Sequence, residues 1–301
     1  MDIYLANPRG FCAGVRRAID IVHKTLEEYG NPIYVRHEIV HNKHVVEDLK
    51  NQGTIFVEDL IEVDKKRPLI FSAHGVSDDV KNQAVEMGLN IIDATCPLVL
   101  YVHKCIKKLE NDNAEIIIIG KKGHAEIIGT FGQVKNKQRV HIIANLSEAQ
   151  NLNIPENIKI GVVTQTTLSI DETKEITDFL KQKYSQIILY NNICFATTNR
   201  QYAVRKLAEK TENIIVIGSK NSSNSNKLKE VAICCGVKNV LFIDDVSEIN
   251  WEIADTFNSL GITAGASAPE YLVEELLKEF KQRYDNINIH NVIVAEENFD
   301  F

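Results

Sequence analysis

The sequence contains few of the short strings by which functions are usually recognised. Six cysteines in 301 residues are too few for a disulfide scaffold, and a reducing cytosol disfavours disulfides in any case. No two of them stand as CxxC, the common thiolate spacing of zinc and redox sites. No GxxxxGKS or GxxxxGKT marks a P-loop, and Gly218-Ser219-Lys220 lacks the later glycines of a dinucleotide GxGxxG. No apolar run approaches the roughly 18 residues that span a bilayer; Ile116–Ile119 and Ile214–Ile217 are only strand-length. Met1-Asp2-Ile3-Tyr4-Leu5 opens directly into a strand-like stretch, without the basic n-region and long apolar h-region of a signal peptide. Positive charge is in deficit, with 34 Lys and Arg against 41 Asp and Glu and a net charge of −7. The whole molecule is therefore not drawn to nucleic acid or to an anionic membrane, and any anion it binds needs a local site. With 44% hydrophobic and 25% charged residues, the expectation is a soluble, cytosolic, globular protein.

What is present is a regular alternation. Strand-like runs occur at 33–36, 69–73, 90–93, 115–119, 159–164, 186–190, 213–217, 240–243 and 261–265. Amphipathic stretches lie between them at 15–28, 43–52, 78–87, 97–110, 170–183 and 269–283. Such alternation reads as an α/β protein with mainly parallel sheets. No Pro/Gly/Ser-rich linker interrupts the chain. We expect three similar α/β units over residues 14–96, 97–191 and 192–283, the last joined by the N-terminal segment 1–13, with a surface tail over 284–301.

The cysteines sort by context. Cys105 falls on the apolar face of a helical pattern with Val102, Ile106 and Leu109, and Cys234-Cys235 end an apolar helix before Gly236. These three read as small buried hydrophobes. Cys12, Cys96 and Cys194 instead follow a strand-like or turn segment and open a helical one; Pro97 after Cys96 suits a first helical turn. There the unpaired amides and the helix dipole favour a thiolate. Separations of 84 and 98 residues are not a motif, and a shared metal site follows only if the fold brings the three together.

Several strand ends open into loops of small and hydroxylated residues: Ser72-Ala73-His74-Gly75, Gly120-Lys121-Lys122-Gly123-His124, Thr164-Gln165-Thr166-Thr167, Gly218 to Asn226 and Gly265-Ala266-Ser267-Ala268. Each alone also suits helix capping. Together, on the carboxyl side of parallel strands, they predict a nest of backbone N–H, hydroxyl and imidazole donors for a phosphate-like anion beside a thiolate metal centre.

Ala6-Asn7-Pro8-Arg9-Gly10-Phe11-Cys12-Ala13-Gly14-Val15, Glu38-Ile39-Val40-His41-Asn42-Lys43, Phe71-Ser72-Ala73-His74-Gly75-Val76 and Asp93-Ala94-Thr95-Cys96-Pro97-Leu98-Val99 carry a resemblance. It continues at Gly123-His124, Thr164 to Ser169, Cys194 to Gln201, Gly218 to Asn226 and Gly265 to Pro269. In these blocks, in this order, the chain resembles the LytB family, the 4-hydroxy-3-methylbut-2-enyl diphosphate reductases of the non-mevalonate isoprenoid route. The resemblance implies a pseudo-threefold α/β fold around a 4Fe-4S cluster held by Cys12, Cys96 and Cys194. One iron is then left open to the substrate hydroxyl, which departs as water after two-electron reduction to give isopentenyl or dimethylallyl diphosphate. It also implies a diphosphate site made by His41, His74, His124, Ser222, Ser223, Asn224 and Ser267. Glu126 is implied as the proton-delivering acid, Thr166 as a partner of the substrate hydroxyl, and a flavodoxin or ferredoxin as electron donor. Two other readings use the same residues: a zinc-dependent phosphohydrolase and a non-catalytic iron–sulfur sensor.

Overall fold

The computed structural model describes residues 1–297. Its strands form three sheets in which every pairing is parallel. The first runs β11 (Asn239–Ile243), β10 (Asn213–Ile217), β12 (Ser259–Ala264), β1 (Asp2–Asn7), β13 (Asn288–Ile293). The second runs β3 (Thr54–Val57), β2 (Ile33–Arg36), β4 (Pro68–Phe71), β5 (Asn90–Asp93). The third runs β7 (Val140–Ile143), β6 (Glu115–Ile119), β8 (Ile160–Thr164), β9 (Ile187–Leu189). The helices are α1 (Ala13–Tyr29), α2 (Lys43–Asn51), α3 (Asp78–Glu86), α4 (Pro97–Asn111), α5 (Ala125–Phe131), α6 (Leu146–Gln150), α7 (Ile170–Lys183), α8 (Phe195–Ala208), α9 (Ser223–Cys234), α10 (Trp251–Ala254) and α11 (Glu270–Arg283). None is long and apolar enough to cross a membrane among the described residues.

The chain divides into two compact units. One comprises Met1–Arg16, His41–Glu47 and the chain from Phe195 onward, and holds the five-stranded sheet. Its interior strand β10 is buried on both faces. Ile214 and Val216 pack against α8 and α9 through Val204, Leu207, Leu228 and Val231. Ile215 and Ile217 pack on the other side against Leu272, Leu276 and Phe280 of α11. Burial on both faces is why β10 reads as an unbroken apolar run rather than an alternating one.

The other unit comprises Arg17–Val40 and Asp48–Cys194 and holds both four-stranded sheets. In β6, Ile116 and Ile118 meet Val102, Cys105, Ile106 and Leu109 of α4, while Ile117 and Ile119 meet Ile176 and Leu180 of α7. In the second sheet, Leu69 and Phe71 pack with Val76 and Ala84.

Three strands fall where none is expected. β3 and β7 are edge strands in which only some side chains are buried, so their apolar pattern is short and broken. The stretch after Asp285, expected as a surface tail, instead adds β13 beside β1, mostly exposed. The last residues of that expected tail, 298–301, lie outside the described residues. Cys234 and Cys235 are a second correction, since both are exposed. Cys234 ends α9 and Cys235 is its C-cap, both beyond the buried face made by Leu228, Val231 and Ala232.

Candidate functional site

Each sheet delivers one of the three singled-out cysteines from the carboxyl end of a strand: Cys12 after β1, Cys96 after β5 and Cys194 after β9. All three immediately precede a helix, α1, α4 and α8 in turn, and all are half-buried. None is in a disulfide. Cys105 is different: it is buried inside α4, where burial pushes its thiol pKa up and keeps it protonated. Free, half-buried thiols at helix starts have the chemistry to ligate a metal, whereas Cys105 lies in the core.

In the first unit the Cys12 loop is held by sheet-like bonds. Gly10 N–H donates to the Ala264 carbonyl and Cys12 N–H to the Ala266 carbonyl, both at 3.1 Å. Gly10 has a φ of +65°, and a Cβ there would stand 3.2 Å from the Ala268 carbonyl oxygen, so no other residue fits without strain. The small-residue loops converge beside it. Ser222 caps α9, accepting from Ser225 N–H at 3.3 Å and from Ser225 Oγ at 3.0 Å. Ser267 Oγ donates to the His41 carbonyl at 2.9 Å and lies 3.5 Å from Ser222 Oγ. Asn224 Oδ1 accepts from Ala266 N–H at 2.9 Å, and its Nδ2 reaches Thr197 Oγ1 at 3.5 Å. Ser223 is the first residue of α9, where amide N–H groups have no helical partner. This unit therefore gathers His41, Ser222, Ser223, Asn224 and Ser267 at the carboxyl ends of β10 and β12. Sequence reasoning does not single out Ser225, which is fully buried and fills the space that side chains on Gly218 and Gly265 would need.

The second unit gathers the rest. Cys96 N–H donates to the Ala73 carbonyl at 3.0 Å, tying that cysteine to the His74 loop. The His74 and His124 rings stand 5.9 Å apart, edge to face. Gln133, buried in the turn after α5, donates to the Val76 carbonyl at 2.8 Å and to the Gly129 carbonyl at 2.9 Å, fixing α5 against the loop that carries His74. His124 caps α5 with Nδ1, which accepts from Glu126 N–H at 3.2 Å. An accepting Nδ1 puts the proton of a neutral ring on Nε2.

Glu126 is only 3% exposed. Its Oε1 accepts Thr166 N–H at 2.7 Å and its Oε2 accepts Thr166 Oγ1 at 2.9 Å. Burial pushes its pKa up to about 7, against the opposing pull of those two hydrogen bonds. Thr166 also accepts Cys194 N–H on its carbonyl at 3.1 Å, so one residue joins the acid to a cysteine-bearing helix start. Gln165, in a loop the sequence marks but not itself a candidate site residue, is buried and accepts Lys121 N–H on Oε1 at 3.0 Å. Its Nε2 donates to Thr167 Oγ1 at 2.9 Å, bracing the loops after β6 and β8.

The letters of the zinc-protease helix motif do occur once, as His37-Glu38-Ile39-Val40-His41. That string lies in the loop between β2 and α2, with His37 at a φ of +60°. Its histidines therefore do not share a helix face, as that zinc site requires.

Comparison with known proteins shows the family and the fold. A structure of the E-1-hydroxy-2-methyl-but-2-enyl-4-diphosphate reductase from Plasmodium falciparum superposes with a TM-score of 0.95 at 39% identity, covering 99% of this chain and 93% of that one. The 4-hydroxy-3-methylbut-2-enyl diphosphate reductase of Haemophilus ducreyi is 48% identical over all of this chain and 96% of its own length. The one from Neisseria meningitidis is 47% identical over 99% of this chain and 92% of its own. The chain is an oxidoreductase of α/β architecture with three parallel sheets. The family model described as LytB protein matches residues 3–281, and the chain belongs to that family.

Proposed function

We propose that this chain reduces (E)-4-hydroxy-3-methylbut-2-enyl diphosphate to isopentenyl and dimethylallyl diphosphate, the last step of the non-mevalonate isoprenoid route. Cys12, Cys96 and Cys194, each following a strand of a different sheet, would hold a 4Fe-4S cluster in a chain of three α/β units over 14–96, 97–191 and 192–283, the last joined by 1–13. When bound, the cluster would pass on the two electrons taken from the reduced donor and, with three rather than four cysteine ligands, would offer one iron open to the substrate. A flavodoxin or ferredoxin is the proposed electron donor, and the cytosol the proposed compartment.

The chain's own residues do the rest. His41, His74 and His124 with Ser222, Ser223, Asn224 and Ser267 offer N–H and O–H donors to the diphosphate, which needs no cluster of Lys or Arg. His124 suits this through Nε2–H, since Nδ1 is committed to Glu126 N–H. Bonds to a charged phosphate are shorter and roughly twice as strong as neutral ones. Glu126 holds a proton near neutral pH; with the Thr166 hydroxyl turned so that Oγ1 accepts it, 2.9 Å from Oε2, the Thr166 O–H proton passes on to the departing substrate hydroxyl. The observation that carries the reading is this carboxyl: a buried acid with a pKa near the working pH, fixed on both oxygens by the residue proposed to meet the substrate hydroxyl.

The test is anaerobic reconstitution of wild type and Glu126→Gln. Both should bind about four iron and four sulfide per chain. Wild type should turn over the hydroxylated diphosphate with a reduced donor, and the variant should lose at least about a hundredfold in rate. Zinc without iron or sulfide would instead favour the phosphohydrolase, and equal rates would refute the role of Glu126.

A further inference from the structure

Arg200, on α8, is completely buried, and Glu297, far along the chain, exposes only 3% of its side chain. Nη1 of Arg200 lies 3.0 Å from each Glu297 carboxylate oxygen and 2.9 Å from the Ala196 carbonyl. Nε and Nη2 donate to the Gly10 carbonyl at 3.2 and 2.9 Å, and Nη2 also reaches the Phe11 carbonyl at 3.4 Å. Asn199 Nδ2 adds a bond to Glu297 at 3.2 Å. The guanidinium thus grips the two residues before Cys12 and the first turn of α8, while a carboxylate from the C-terminal segment neutralises it. That segment arrives by a defined path: β13 pairs along the length of β1, and Val294 N–H donates to the Asn7 carbonyl at 2.9 Å.

A buried charge is retained only when it is paired and fully hydrogen-bonded, and removing one partner strands the other. Here every guanidinium nitrogen has an acceptor, and two of those acceptors belong to the loop that presents Cys12. We propose that Arg200 and Glu297 are positioning residues for Cys12: the C-terminal segment latches the Gly10-Phe11-Cys12 loop through the guanidinium and fixes where that thiolate points. Glu297 lies beyond residue 281, where the family match ends. The proposal serves the cluster site proposed above, but its main readout needs no cluster, so each fails separately.

The experiment compares the full-length chain with Glu297→Ala, Glu297→Gln and Arg200→Lys, following alkylation of each cysteine by mass spectrometry. Lysine has no planar fork, so it cannot hold Gly10 and Glu297 together. Arg200→Lys and Glu297→Ala should both raise the alkylation rate of Cys12 about tenfold through local opening of its loop. Cys105, buried elsewhere in the chain, should stay within about twofold and so report that the fold is intact. Glu297→Gln keeps an acceptor for Nη1 and folds most readily; it should give a smaller rise in the same direction. In reconstituted chains, the same variants should lose iron to a chelator faster than wild type while far-UV circular dichroism is unchanged. Cys12 reactivity equal to wild type in all three variants, or Cys12 and Cys105 rising together, overturns the proposal.

Discussion

Glu126→Gln should make the protein's stability less sensitive to pH between about pH 4.5 and pH 7, and the sign is fixed by the direction of the shift. The carboxyl titrates near 4.5 when exposed and at about 7 in the folded chain. The folded state therefore keeps a proton that the unfolded state has lost over this window. Its contribution to stability is fully present below pH 4.5 and is gone once the pH has risen through 7. At about 1.4 kcal/mol per pH unit, the displacement from 4.5 to about 7 amounts to roughly 3 kcal/mol. Glutamine is neutral at every pH and keeps a carbonyl oxygen for Thr166 N–H. Wild type and variant should be similarly stable at pH 5, and the variant should be more stable at pH 8 by up to about 3 kcal/mol. Urea unfolding at the two pH values, measured on matched cluster-free samples, reads this directly. Parallel loss of stability in both proteins would show that the buried carboxyl is not raised, and the assignment of Glu126 as the acid would fall with it.

Other variants probe separate parts of the site. Replacing Cys12, Cys96 or Cys194 by serine should cut iron and sulfide content sharply on reconstitution, whereas Cys105→Ser should keep both and cost about 1–2 kcal/mol of stability for a polar group placed in the core. Gly265→Ala would put a Cβ 2.0 Å from Ser225 Oγ and 3.1 Å from its Cβ. It should cost about 1–3 kcal/mol by overpacking, and Ser225→Ala should restore part of that loss in a double-mutant cycle; strict additivity would deny the contact.

What was legible in the sequence was whatever depended on burial along the chain. β6 and β10 showed as apolar runs because both their faces are covered, and β2, β5, β6 and β10 begin and end where the pattern does. The edge strands β3, β7 and β13 did not show, because a half-exposed strand of four to six residues mixes polar and apolar side chains. α5 was hidden by its shortness and by Gly129, needed where a Cβ would press on the Gly75 carbonyl at 3.0 Å. At the site, the context of Cys12, Cys96 and Cys194 set them apart, and the loop chemistry marked the carboxyl ends of the strands. The burial of Glu126 was not readable. A carboxyl in a first helical turn is ordinarily solvated, and what covers it comes from Thr166, 40 residues away. The Arg200–Glu297 pair, 97 residues apart, left no local trace at all.

Thr166 also separates two roles that a single loss of activity would confuse. Its Oγ1 donates to Glu126 Oε2, a bond that favours the ionised carboxylate and so holds the pKa down against burial. Thr166→Val removes that bond but leaves the backbone N–H to Oε1 and the carbonyl to Cys194 N–H. The carboxyl must then titrate above 7, not below. Turnover of wild type, which needs the protonated acid, should fall as the pH rises through about 7. In Thr166→Val that descending limb should move to higher pH while the maximal rate drops, because the hydroxyl proposed to relay the proton is gone. Thr166→Ser, with the hydroxyl restored, should bring both back toward wild type. A descending limb that moves to lower pH in the valine variant, or that stays in place while the rate drops, would mean that Thr166 does not act on this carboxyl and that the proton reaches the substrate by another path.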